Sequence, residues 1–226
     1  MKKKTIAIVL FCALFVVMTT GAGSSESAKT APAEAAPLGV VGEEGYVNEY
    51  FGVGFDLPEE WSFYTDEELA EMMNVTVQVI QDEEFQELMT KSMEDGNAVT
   101  NMAAKDSLGL HNVNMRVTKM TDDSLLSFSE ETILEMLTAP VKEMLESAGY
   151  EDLELEIGEV EFAGQTKPIL YITGTFYNIP MYQGELLLLG EEYYAVLTFT
   201  SAMENELDEQ FVQWHALEEE AAEATA

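Results

Sequence analysis

The apolar positions of this chain change period along its length. From Ser129 to Ala148, Ile133, Leu137, Met144 and Ala148 recur at helical spacing, with Leu134, Val141 and Leu145 beside them. That pattern predicts an amphipathic helix. Ser127 with Glu130 forms a possible capping box at its start, and Gly149 supplies a stop. Pro140 lies inside the pattern and predicts a kink, or a division after Thr138. Downstream the period falls to two. Leu153, Leu155 and Ile157 alternate with Asp152, Glu154 and Glu156, and Val160 and Phe162 extend the strand to a turn at Ala163-Gly164-Gln165. Ile169 to Tyr177, Met181 to Leu189 and Tyr193 to Thr200 complete a four-stranded meander. Ser201 with Glu204 reads as another capping box, opening a closing helix with Leu207, Phe211, Trp214 and Leu217 on one stripe.

Upstream the elements are shorter. Tyr46–Tyr50 and Val53–Leu57 flank Phe51-Gly52 as a tight strand pair, which Pro58 ends. Thr65 with Glu68 is a capping box for a helix from Asp66 to about Met73. Val75 to Ile80 is β-branched but lacks strand punctuation, and Asp82 to Glu94 reads as a helix with Phe85, Leu88, Met89 and Ser92 on one face. Val99–Lys105 and Asn112–Met120 form a hairpin across Ser107-Leu108-Gly109. No internal repeat is visible. Strand runs interrupted by helices, without βαβ alternation, predict an α+β fold: an antiparallel sheet covered by helices, over residues 46–217.

The ends read differently. Lys2, Lys3 and Lys4 precede an apolar run from Thr5 to Met18, and Gly21-Ala22-Gly23-Ser24 follows. That order predicts a signal peptide over residues 1–23, its run being shorter than the ~20 residues a spanning helix needs. Residues 24–45 are rich in Ser, Ala, Pro and Glu and predict a disordered linker; residues 218–226 predict an acidic tail. Cys12, the sole cysteine, lies within the leader without a lipobox around it, so the exported chain has no thiol chemistry. A short leader and no disulfide fit a bacterial source, in which the sequon Asn74-Val75-Thr76 is coincidental.

Charge narrows the partners. Ten Lys and Arg face 43 Asp and Glu for a net −33, and the leader removes three of those cations. Such a chain repels nucleic acid and anionic membrane surfaces. Searching for chemistry yields no catalytic, cofactor-binding or metal site that the spacing singles out. His111 and His215 are the only histidines, and neither adjoins a Gly-x-Ser-x-Gly element. Two isolated histidines without cysteine make a poor zinc site. Arg116, the single arginine, is expected to pair with a carboxylate. The runs Asp66-Glu67-Glu68, Asp82-Glu83-Glu84, Asp122-Asp123 and Glu218-Glu219-Glu220 are expected as solvated faces and helix starts. Trp61, Phe63, Tyr64, Tyr177, Tyr182, Tyr193 and Tyr194, with Met72, Met73, Met136, Met144 and Met181, read as core filling rather than a ligand groove.

One stretch carries a resemblance. Tyr50-Phe51-Gly52-Val53-Gly54-Phe55-Asp56-Leu57-Pro58-Glu59-Glu60-Trp61 resembles the opening of PsbP-like domains, a strand with an aromatic-glycine pair and then Pro-x-x-Trp. The chain also resembles secreted proteins of anaerobic Gram-positive bacteria that share this opening. The resemblance implies a PsbP-like α/β/α sandwich serving in binding or assembly. Pro58 and Trp61 match as packing positions, and no functional residue carries over. The expectation is therefore a secreted, non-catalytic binding or assembly module with an unknown extracellular or envelope partner, and neither nucleic acid nor a membrane span. It would be free or retained at the cell envelope. The alternatives are an extracellular enzyme with a carboxylate site, or a calcium-responsive secreted protein.

Overall fold

The computed structural model describes residues 37–65, 67–69, 98–120 and 123–217. The expected leader, most of the linker, the acidic tail, the segments Val75–Ile80 and Asp82–Glu94, and the helix from Asp66 apart from residues 67–69 lie outside these residues.

Two antiparallel sheets stack face to face. The larger has the order β4-β5-β6-β10-β9-β8-β7 and the smaller β1-β2-β3-β11. In chain order the strands are β1 (Val40–Val41), β2 (Gly45–Asn48), β3 (Val53–Asp56), β4 (Trp61–Phe63), β5 (Ala98–Asp106) and β6 (His111–Lys119), followed by β7 (Tyr150–Phe162), β8 (Gln165–Phe176), β9 (Ile179–Leu189), β10 (Tyr193–Ala202) and β11 (Trp214–Ala216). Helix α1 (Glu130–Ser147) carries the chain from β6 to the far edge, and the meander β7 to β10 walks back until β10 pairs with β6. A short helix α2 (Leu207–Phe211) precedes β11. Val40–Val41, within the stretch read as linker, already pair with β2.

Two cores result. Ile133, Leu134, Leu137, Val141 and Leu145 of α1 pack on Leu170, Ile172, Leu187 and Val196. On the opposite face Tyr46, Val53, Phe55 and Trp214 pack on Val113, Met115, Ala195, Leu197 and Phe199. The large sheet is thus covered by a helix on one side and by a second sheet on the other. This corrects the expected α+β architecture with helices covering the sheet, and with it the α/β/α sandwich that the PsbP-like opening implied.

The error traces to the C-terminal segment. The stripe of Leu207, Phe211 and Trp214 fits a helical period, yet α2 ends at Phe211. After a turn at Val212–Gln213, Trp214 pairs with Phe55, His215 with Gly54 and Ala216 with Val53. Adding β11 to β3 puts the Trp214 indole among Phe55, Phe162 and Phe199, with ring centroids 5.2, 5.4 and 6.3 Å away. A continued helix could not both pair its backbone with β3 and seat that ring.

Other expectations hold with adjustments. Ser129, rather than Ser127, caps α1: its side chain accepts from the Thr132 N–H, and Glu130 and Glu131 sit in the first turn. The helix runs unbroken through Pro140, which corrects the expected division after Thr138. Pro140 has no N–H for the carbonyl of Met136, a residue that is itself 58% exposed. That exposure also corrects Met136 as a core residue, whereas Met144 and Met181 are buried. A β-bulge between Thr100 and Met102 re-aims Asn101. Its side-chain oxygen accepts from the Gly39 N–H at 2.9 Å, the Asn48 amide at 3.1 Å and the Tyr46 hydroxyl, tying the two sheets together.

Trp214→Ala should cost about 3–5 kcal/mol in urea unfolding, the range for emptying a large aromatic site. A loss under about 1 kcal/mol would mean that the second sheet does not rest on this ring.

Candidate functional site

Three arrangements of polar side chains invite a functional reading. The first lies where β6 begins and β10 ends. Their register sets His111 opposite Ser201. His111 Nδ1 is 2.8 Å from Ser201 Oγ, and Nε2 is 3.2 Å from Glu206 Oε2. Hydroxyl, imidazole and carboxylate in series have the outline of a nucleophile with its base and acid. The proton inventory argues against that chemistry. Ser201 is fully buried; its hydroxyl donates to the Glu204 carbonyl at 2.7 Å and accepts from the Glu206 N–H at 3.1 Å. A hydroxyl has one proton, so Nδ1 must be the donor to Ser201 Oγ. A ring nitrogen that donates to a hydroxyl cannot take its proton. The cluster instead ties the end of β10 to the turn before α2. The expected Ser201–Glu204 capping box is corrected accordingly: Ser201, near the end of β10, donates to the Glu204 main-chain carbonyl.

The second is a polar row on the helix-side face of the large sheet. Asn112, Asn114, Arg116 and Thr118 alternate along β6 and are all buried. Thr198 and Thr200 continue the row on β10, and Gln183 and Glu185 on β9. The Thr198 hydroxyl donates to Glu185 at 2.9 Å. Burial pushes the Arg116 guanidinium down to about 10, with Tyr194 opposing the shift, and pushes the Tyr194 phenol up to about 12. Read as sequence, Asn-x-Asn-x-Arg-x-Thr is a solvent face. Its burial is visible only once the sheet is assembled.

The third is the outer edge of the meander. Glu154, Glu156, Glu159 and Glu161 of β7 are exposed, and among the described residues none pairs with a cation. Beside them, between β7 and the start of α1, lies a groove of about 340 Å³ lined by Ser129, Glu130, Glu131, Ile157 and Glu159. Lys167 reaches Glu130 at 2.9 Å.

The remaining expected residues are scattered. His215 lies on β11, not on a closing helix, with its ring over Gly54 and Nδ1 3.3 Å from Asp56. The two histidines thus belong to separate clusters. Trp61 and Phe63 are half-buried against the sheet-side core, Tyr193 and Tyr194 are buried, and Tyr177 is 73% exposed at a turn. The Thr65–Glu68 capping box forms: Glu68 accepts from the Thr65 N–H at 2.9 Å, and Thr65 Oγ1 accepts from the Glu68 N–H at 3.2 Å. Lys105 bonds Glu68 at 2.6 Å and lies 4.4 Å from the Tyr64 ring centre. Hydrogen bonds from Lys105 and then the Thr65 main chain hold the Glu68 carboxyl below its usual value. Among the described residues no group of three or more His, Cys, Asp or Glu could hold a metal ion, and no helix is long and apolar enough to cross a membrane.

No protein-family model matches the chain, and no curated protein matches it in sequence. Among solved structures it is similar to LpqN, described as involved in cell envelope biogenesis of Mycobacterium tuberculosis. The TM-score is 0.37 at 6% identity, over 73% of this chain and 83% of that one. A likeness of that size carries no argument about activity.

The buried phenols make alkaline pH a test of the packing. Tyr46, Tyr64 and Tyr194 are each pushed from 10.0 up to about 12, chiefly by burial. Folded values above the ordinary one mean a contribution intact below pH 10 and lost as pH climbs towards 12. Of the nine tyrosines, these three should ionise only with loss of structure, read by tyrosinate absorbance alongside circular dichroism. All nine titrating together near pH 10, before any unfolding, would contradict the packing.

Proposed function

We propose that this chain is an exported, non-catalytic binding or assembly module that works outside the cytoplasm, free or at the cell envelope. The observation that carries the reading is the commitment of the Ser201 proton to the Glu204 carbonyl. It spends the described nucleophile–base–acid set on closing a turn. The leader pattern of Lys2–Lys4 and the apolar run to Met18 support export. The acid-rich surface supports a cationic partner over an anionic one.

The test is turnover. The chain from Ser24 onward should hydrolyse no ester, glycoside or peptide of a broad panel above a heat-denatured control. Ser201→Ala should change stability by about 1–2 kcal/mol and nothing else. Hydrolysis that disappears in Ser201→Ala or Glu206→Gln would overturn the reading.

A further inference from the structure

Among the described residues the four sheet edges are unequal. β1 has two residues, β4 and β11 three each, and β7 thirteen. Short edges offer little to a pairing strand, while a long one offers a row of main-chain groups. The turn between β7 and β8 fixes which groups those are. Ala163 and Gly164 have φ of 49° and 75°, the two-residue type I′ geometry. Phe162 and Gln165 therefore close the hairpin as a pair that exchanges hydrogen bonds, and the bonding alternates from there. Val160, Gly158, Glu156 and Glu154 bond inward to β8. Leu155, Ile157, Glu159 and Glu161 turn their N–H and C=O groups outward.

Side chains decide what can use that row. Glu154 and Glu156 fringe the edge on the sheet side, and Glu159 and Glu161 on the helix side, all exposed. A second β7 would set acid against acid, which opposes pairing between copies. The neighbouring groove adds Glu131, while Glu130 is already held by Lys167.

We propose that the β7 edge from Glu154 to Glu161 docks an extended lysine- or arginine-bearing segment of a partner protein, which joins the large sheet as an eighth strand. The inference rests on the binding-module reading and names its surface and partner chemistry. Outward main-chain groups of β7 supply the hydrogen bonds, and cationic side chains on both faces of the docked strand meet Glu154 and Glu156 on the sheet side and Glu159 and Glu161 on the helix side. One cationic side chain enters the groove between β7 and α1, where Glu131 and Glu159 face it.

The experiment uses the chain from Ser24 onward with the synthetic peptide Lys-Val-Lys-Val-Val-Lys-Val-Lys, whose central Val-Val step moves its lysines from one face of the strand to the other. Binding is followed by calorimetry, and amide hydrogen exchange is measured with and without the peptide. The peptide should bind, and a Glu–Val counterpart should not. Binding should slow exchange at Leu155, Ile157, Glu159 and Glu161 in particular. Affinity should fall at least about tenfold in Glu154→Lys/Glu156→Lys, and again about tenfold between low and high salt. Glu159→Pro leaves the β8 ladder intact but removes an outward donor, so it should weaken binding beyond the Glu159→Gln control. The proposal fails if the Lys–Val peptide does not bind. It also fails if binding leaves those four amides unprotected, or if Glu159→Pro binds like Glu159→Gln. Such failures would leave the non-catalytic reading standing, whereas Ser201-dependent hydrolysis would end that reading and leave the edge untouched.

Discussion

A strand buried on both faces needs two covers, and in this molecule that strand is β10. All ten of its residues, Tyr193 to Ala202, are buried. Tyr194 and Val196 face α1, while Tyr193, Ala195, Leu197 and Phe199 face the smaller sheet. Burying both sets is the main hydrophobic return of the fold. The second cover is assembled from opposite ends of the described chain, β1 to β3 and β11. Trp214 joins them by packing where Phe55 of β3 meets Phe162 and Phe199 of the large sheet. The small sheet, the seating of the C-terminal segment and the sheet-side core therefore stand or fall together.

Double burial also governs the polar groups. With both faces covered, the Asn114, Arg116, Thr198 and Glu185 row is taken out of water rather than left on a surface. Buried polar groups are costly unless satisfied, and the Thr198–Glu185 hydrogen bond is one compensation. The same constraint closes the end of β10. Once the strand is buried as far as Ala202, the chain must turn sharply, and Ser201, His111 and Glu206 bind that turn. A constellation with the outline of catalysis thereby holds that turn closed. What the two covers leave outside is the periphery, where acid is abundant and β7 is long.

The sequence was most legible where a period lasts several residues. The helix around Ile133–Leu145, the hairpin of β5 and β6, and the four-stranded meander all follow from spacing and turn residues. The second sheet was only partly legible, because its strands have two to four residues and show no period. Trp214 was misread as helical because Leu207 and Phe211 precede it at helical spacing, while its true partner, Phe55, lies far back in the chain. The candidate sites were less legible still. His111 and Ser201 meet only through the register of β6 and β10, and local sequence carries no signal of it. The glutamates alternating along β7 were visible, but that β7 is the outermost strand became clear only from the strand order.

Residue-resolved amide hydrogen exchange on the chain from Ser24 onward tests the account most directly. Amides of β10 should exchange slowest, through global unfolding, while β7 shows alternating protection. Glu154, Glu156, Gly158 and Val160 should be slow, and Leu155, Ile157, Glu159 and Glu161 fast. Rapid local exchange along β10, or uniform protection along β7, would contradict a central strand held between two covers and an open outer edge.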